Sequence, residues 1–247
     1  MTEWEYKPAK DLMLNSVERF KSERREPGLV SYLTNRVATG GLRAYFQIYH
    51  RLRIEGGEHL PRKTPFVLIS NHTSHLDALV LAACLPRSVR GSTYPIAAGD
   101  VFFETPPLAV FSSMVLNALP MWRKKIGRHA LDDLRAKLLT GDCGYILFPE
   151  GTRSRDGRPG PFRPGLGMLV AGTSVPVVPC HLEGCHRALS SEHRVPRREP
   201  IRLRVGPAIS FADATQDRDG WTHVAHAAED AVFALSDQPS PRLAARG

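Results

Sequence analysis

The segment Asn71-His72-Thr73-Ser74-His75-Leu76-Asp77 directly follows the apolar run Phe66–Ser70 and precedes Ala78–Leu85, which places it at a strand-to-helix junction. Side chains with the spacing of His72 and Asp77 diverge by roughly 140° on a continuous helix, at about 100° per residue. With His72 in the turn and Asp77 in the first helical turns, the carboxylate instead reaches an imidazole nitrogen. A carboxylate on Nδ1 fixes the tautomer and leaves Nε2 to accept a proton from a substrate hydroxyl. No nucleophilic Ser or Cys is needed, and the chain carries no G-x-S-x-G elbow. The same residues also suit a capping turn in which Asn71, Thr73 or Ser74 closes the helix N-terminus and the histidines take no part.

A second segment, Phe148-Pro149-Glu150-Gly151-Thr152-Arg153-Ser154-Arg155, follows the apolar run Gly144–Leu147. Pro149 ends the strand, Gly151 permits a tight backbone path, and Glu150, Thr152 and Arg153 project from the loop. Arg153 can hold a phosphate bidentately while Thr152 and the loop amides donate further hydrogen bonds. A phosphate would repel Glu150, so that side chain is read as accepting from a sugar or glycerol hydroxyl, or as holding an arginine. A polar loop closed by an ion pair is the alternative.

Both segments need elements that end side by side. Short apolar runs at Arg51–Glu55, Phe66–Ser70, Tyr94–Ala98, Gly144–Phe148, Val175–Cys180 and Ile201–Val205 read as strands. Helical stretches lie between them near 76–85, 106–117, 128–140 and 165–172. The alternation predicts an α/β fold with a mixed, largely parallel central sheet flanked by helices. Functional residues of such sheets gather where strands end and helices begin. Ahead of the sheet stands a helical pair. Residues 9–25 carry Leu12, Leu14, Val17 and Phe20, and residues 29–49 carry a stripe of Leu33, Val37, Leu42, Tyr45, Phe46 and Tyr49. Either helix can pack on the main body or dip into a bilayer interface. The division predicted is 1–50 as the N-terminal helical segment, 51–235 as the main domain and 236–247, rich in Pro, Arg and Ala, as a flexible tail.

Composition limits the partners. With 42% hydrophobic and 23% charged residues in 247, the chain is an ordinary folded protein rather than a disordered one. Lys+Arg 33 against Asp+Glu 25 leaves +8, which suits nucleic acid, a phospholipid surface or a phosphorylated substrate, although an arginine excess also arises from coding bias. No recognition motif or aromatic-interleaved basic stretch supports nucleic acid. Cys84, Cys143, Cys180 and Cys185 lack zinc-site spacing and read as reduced thiols, so no metal is expected, the Cys180-His181…Cys185-His186 group included. The N-terminus lacks the build of a signal peptide, and no window holds the uninterrupted apolar length of a spanning helix. The expectation is a cytoplasmic protein.

Together the two segments resemble the lysophospholipid acyltransferase family, through its N-H-x-x-x-x-D block at Asn71 to Asp77 and its F-P-E-G-T-R-S block at Phe148 to Ser154. Val175-Pro176-Val177-Val178-Pro179 is similar to the family's V-P-x-x-P strand, while Asn117–Arg123 matches a fourth block only at Arg123. The resemblance implies His72 as general base and Asp77 as its orienting partner. It implies an acyl-CoA or acyl carrier protein donor, no other cofactor, and a lysophospholipid acceptor, most simply 1-acylglycerol-3-phosphate. Arg123, Glu150, Gly151, Thr152 and Arg153 would hold the acceptor and its phosphate. Phe111, Met114, Val115 and Pro176 are candidate contacts for the acyl chain or donor, with burial in a helix as the alternative for the first three. Such an enzyme, lacking a spanning helix, would sit peripherally at the inner face of the membrane, its excess charge drawn to anionic lipid. Two other readings stand beside this one: the same chemistry on a non-glycerophosphate acceptor, motivated by the atypical Asn117–Arg123 block, and a non-catalytic lipid-binding protein. The sequence leaves the oligomeric state open.

Overall fold

The computed structural model describes residues 29–98, 119–121, 128–190, 193, 195–237 and 240–244. The helix expected over 9–25, the apolar stretch with Phe111, Met114 and Val115, and Arg123 lie outside the described residues.

The first described elements are α1 (Leu29–Ile48), β1 (Arg53–Glu55), β2 (Phe66–Ser70), α2 (Leu76–Cys84), α3 (Arg87–Arg90), β3 (Thr93–Ala98) and β4 (Leu119–Met121). Then come α4 (Arg128–Leu139), β5 (Gly144–Leu147), α5 (Gly165–Val170), β6 (Thr173–Glu183) and α6 (Cys185–Ala188). The last are β7 (Arg202–Val205), β8 (Ile209–Phe211), α7 (Arg218–Phe233) and α8 (Pro241–Ala244). Eight strands form one sheet in the order β1-β7-β6-β2-β5-β3-β4, with β8 also paired to β6. The β6-β2-β5-β3-β4 portion is parallel, and β7 and β8 run antiparallel to β6. This is the mixed, largely parallel sheet that the alternation of runs predicts.

β2 and β5 are buried along their whole length because helices cover both faces of the sheet. Phe66 and Leu68 of β2 face a core shared with Phe46 of α1 and Val80 and Leu81 of α2. Val67 and Ile69 point the other way, toward Leu166 and Leu169 of α5 and Val224 and Val232 of α7. Gly144, paired with Phe66, lacks the Cβ that would collide with the Phe66 ring.

The stripe on α1 divides between core and surface. Phe46 is fully buried and Leu42 packs against the core, whereas Val37 and Ile48 are each 76% exposed. His50, just beyond α1, is buried between the Glu199 carbonyl (3.0 Å) and the Tyr45 hydroxyl (3.1 Å), so packing is continuous across residue 50. Among the described residues no helix is long and apolar enough to cross a membrane.

Three readings change. The strand expected over 175–180 runs from Thr173 to Glu183, because β6 alone borders β2, β7 and β8. α7 falls in a stretch given no element; its N-cap Asp217 accepts from the Gly220 amide at 2.8 Å, and Val224, Ala225, Ala228 and Val232 are its buried face. The flexible tail expected from 236 instead contains α8. There the Arg242 amide donates to Glu229 Oε1 (3.0 Å), the Arg242 guanidinium pairs with Asp230 (2.6 Å), and Ser240 is buried.

Alternation also separates Cys180 from His181. Cys180 joins the α2-side core, while His181 packs its ring edge-on against Phe233 of α7, at 5.7 Å. His181 is 3% exposed and neither ring nitrogen has a hydrogen-bond partner among the described residues. Burial pushes its imidazole down to about 4, against the upward pull of Glu183. An unfolded histidine takes up a proton near 6.5, so the stability that neutral His181 allows is complete above that pH and is lost as pH falls toward about 4. Between pH 7 and 5, His181→Phe is therefore expected to lose about 1–2 kcal/mol less stability than the wild type in urea titrations. Equal losses would show that another group carries the dependence.

Candidate active site

β2 and β5 are adjacent and parallel, so the segments that leave their carboxyl ends must meet. At the end of β2, Asn71 replaces main-chain pairing with its side chain. Its Nδ2 donates to the Leu182 carbonyl (2.9 Å) and its Oδ1 accepts from the Leu182 amide (2.8 Å), continuing the ladder one step beyond Ser70 and Cys180. The backbone is thereby released to turn at His72.

Asp77, fully buried in the first turn of α2, fixes that turn. Its Oδ2 accepts from three donors: His72 Nδ1 (2.9 Å), the Thr73 amide (2.7 Å) and the Ser74 amide (2.8 Å). Ser74 Oγ adds a bond to the Leu189 carbonyl (2.7 Å) and accepts from the Leu76 amide (3.1 Å). The capping turn and the His–Asp pair, alternatives in sequence, are one structure. With Nδ1 on the carboxylate, Nε2 is the nitrogen able to take a proton.

The loop after β5 clamps His72 from the other side. The His72 ring stacks on Phe148 with centroids 4.0 Å apart and planes 15° apart. The His72 amide donates to Glu150 Oε1 (2.7 Å), and its carbonyl accepts from the Ser154 amide (3.0 Å). The imidazole that must hold its orientation is thus fixed through ring, amide, carbonyl and Nδ1.

Glu150 differs from its sequence reading. Among the described residues its partners are amides rather than an arginine: its second oxygen accepts from the Gly160 amide (2.8 Å), so the side chain joins the His72 turn to the far end of its own loop. Burial pushes the carboxyl up to about 8, opposed by the two amide bonds. Gly151 has φ +74, and a Cβ there would lie 3.3 Å from Arg163 Cδ. Thr152 and Arg153 line a cavity of about 320 Å³ beside Glu150.

A second imidazole stands close by. Burial, followed by the charges of Arg153 and His72, pushes His75 down to about 4, so it is neutral near pH 7. All four cysteines are free and buried, and burial raises their thiols, with Cys84 reaching about 12.

The structure therefore brings together His72, Asp77, Glu150, Gly151, Thr152 and Arg153. Pro176 is not brought to them. It precedes Val177, which pairs with Val67 near the start of β2, whereas His72 follows that strand's end. The sequence reading missed Glu229, fully buried on α7, whose Oε2 accepts from the Phe162 amide (2.9 Å) at the end of the site loop. A glutamate within the Val224–Val232 apolar stripe was the available signal.

A His–Asp pair thus lies at the carboxyl end of β2, beside the arginine-bearing loop that follows β5, in an α/β fold. The Acyltransferase family model matches residues 51–183, and the chain belongs to this family. It is 36% identical over 139 residues to a chloroplastic 1-acyl-sn-glycerol-3-phosphate acyltransferase of Brassica napus, covering 55% of this chain and 38% of the relative. It is 28% identical over 169 residues to 1-acyl-sn-glycerol-3-phosphate acyltransferase alpha of Homo sapiens, covering 68% and 58%. The chain thus spans less than two thirds of either relative. The fold is similar to the crystal structure of the 1-acyl-sn-glycerophosphate acyltransferase PlsC from Thermotoga maritima, with TM-score 0.64, 22% identity, and 85% of this chain and 82% of that one covered.

Asn71→Ala leaves the buried Leu182 amide and carbonyl without their partners, so it is expected to lower folding stability by about 2–4 kcal/mol in urea titrations. A change below about 0.5 kcal/mol, the range of ordinary surface substitutions, would count against this anchoring role.

Proposed function

We propose that the chain transfers a fatty acyl group from an acyl thioester, acyl-CoA or acyl carrier protein, to the hydroxyl of a lysophospholipid. 1-Acylglycerol-3-phosphate is the proposed acceptor and phosphatidic acid the product. The observation that carries the reading is the 2.9 Å contact between His72 Nδ1 and buried Asp77. The activities for which the relatives are named support the acceptor.

His72 Nε2 takes the proton of the acceptor hydroxyl as its oxygen attacks the thioester carbonyl. Asp77 holds the tautomer and stabilises the imidazolium that forms. As the tetrahedral intermediate collapses, the C–S bond breaks and the imidazolium returns the proton to the departing thiolate, leaving an ester and a free thiol. No acyl-enzyme forms. Arg153 and Thr152 bind the acceptor phosphate, Gly151 shapes the loop while its own amide donates to the Phe148 carbonyl (3.0 Å), and Arg123 is assigned with them on motif position alone. Glu150 acts through His72 and the loop rather than on substrate.

The proposed site of action is the inner face of a membrane, reached peripherally. The net charge of +8 supports attraction to anionic lipid, and exposed Val37 and Ile48 give α1 an apolar outer surface.

With 1-acylglycerol-3-phosphate and a long-chain acyl-CoA, thiol release should fall at least about 10³-fold in His72→Ala, with the far-ultraviolet circular dichroism unchanged. An unchanged rate would overturn the assignment of the base. Equal turnover of the dephosphorylated acceptor would overturn the phosphate clamp. Binding to vesicles containing phosphatidylglycerol should weaken as salt rises, whereas salt-insensitive binding would show apolar insertion instead.

A further inference from the structure

The loop that carries Arg153 carries more positive charge than one acceptor phosphate requires. Arg153, Arg155, Arg158 and Arg163 all line the cavity of about 320 Å³, together with the carboxylates of Glu150 and Asp156. Glu150 is bonded to the His72 and Gly160 amides, and Asp156 Oδ1 accepts from Ser154 Oγ (2.9 Å) and the Arg158 amide (3.1 Å). Among the described residues no salt bridge engages Arg155, Arg158 or Arg163.

Like charges gathered around a concavity repel one another, so a loop free to move would splay them apart. This loop is held. The Phe162 amide is fixed to buried Glu229, the Gly160 amide to buried Glu150, and the Arg163 amide to the Pro149 carbonyl (2.9 Å). At the tip, Gly157 at φ +83 lies against the His186 ring, where a Cβ would come within 2.7 Å of Cδ2. A backbone fixed before a ligand arrives keeps the exposed Arg155, Arg158 and Arg163 gathered on one loop and lowers the ordering cost of binding a polyanion.

We propose that Arg155, Arg158 and Arg163 form a subsite for the nucleotide phosphates of coenzyme A, distinct from the acceptor contacts of Thr152 and Arg153. The proposal rests on the acyltransfer reading and selects the coenzyme A thioester as donor. A 3′-phosphate and a diphosphate bring roughly four negative charges at neutral pH, a load suited to several guanidiniums, whereas a phosphomonoester brings about two at most. Apart from Gly160, Phe162 and two prolines the lining residues are polar, which suits a nucleotide better than a lipid chain. The volume is that of a small-ligand site, and its concavity favours a small anion over the convex surface of a carrier protein.

Calorimetric titration of the full chain with coenzyme A, pantetheine and glycerol 3-phosphate tests the subsite without relying on turnover. Coenzyme A is expected to bind the wild type, and its Kd to rise at least tenfold in the triple variant R155Q/R158Q/R163Q, with smaller rises in the single variants. Glycerol 3-phosphate affinity should be unchanged. In turnover, KM for acyl-CoA should rise while kcat/KM for the corresponding acyl-pantetheine stays at the wild-type value. Unchanged coenzyme A affinity, no binding to the wild type, or a loss confined to glycerol 3-phosphate would overturn the proposal. Arginine-dependent coenzyme A binding without transfer to any lysophospholipid would leave the subsite standing and sink the acceptor reading instead.

Discussion

Glu150 is where two parts of the chain that are remote in sequence become one site. One carboxylate oxygen accepts from the His72 amide at the end of β2, and the other from the Gly160 amide in the loop after β5. A carboxylate so buried is costly unless its oxygens are bonded, and here the partners are amides that the loop and turn cannot satisfy within regular structure. The sheet makes the arrangement available: β2 and β5 are parallel neighbours, so Phe148 emerges beside His72 and stacks on it. Changing Glu150 would loosen the His72 backbone and the phosphate-facing loop together.

The same use of buried acids recurs around the site. Asp77 gathers two turn amides as well as the imidazole, and Glu229 holds the Phe162 and Arg242 amides. Neutral Asn71 does the corresponding work at the strand end with both halves of its amide group. Each compensates main-chain groups where a strand or helix stops, which are the places where an irregular backbone has to stay rigid. The turn that carries the proposed base is therefore held mainly by bonds to backbone, while Asp77 alone bonds the imidazole.

The local parts of this arrangement were legible in the sequence. The bounds of β2 followed from an apolar run ending at Asn71, and the His72–Asp77 contact from a turn interrupting the helical phase. The longer-range parts were not. Nothing near Glu150 says that its partners are the amides of His72 and Gly160, because amides carry no side-chain signature. β8 is short and exists through pairing with β6, and its Ile209-Ser210-Phe211 is too brief a run to stand out. Helix α8 lies in a Pro/Arg/Ala-rich stretch whose composition reads as loose chain, and its order comes from Glu229 and Asp230 on a different helix. Motif kinship makes Pro176 a candidate contact for the acyl chain or donor, and only the register of β6 with β2 shows that it lies toward the opposite end of the sheet from His72.

Two histidines occupy the turn, and their surroundings divide them. His72 has Asp77 on Nδ1, so a proton taken at Nε2 would leave a charge that the carboxylate stabilises. At His75 burial first, and then the charge of Arg153, oppose a second positive charge, and the ring stays neutral to about 4. The guanidinium proposed to bind the acceptor phosphate thus adds to the burial that keeps the neighbouring imidazole uncharged. An anion bound at Arg153 would offset part of the charge acting on His75, while the burial that contributes most to its shift would remain.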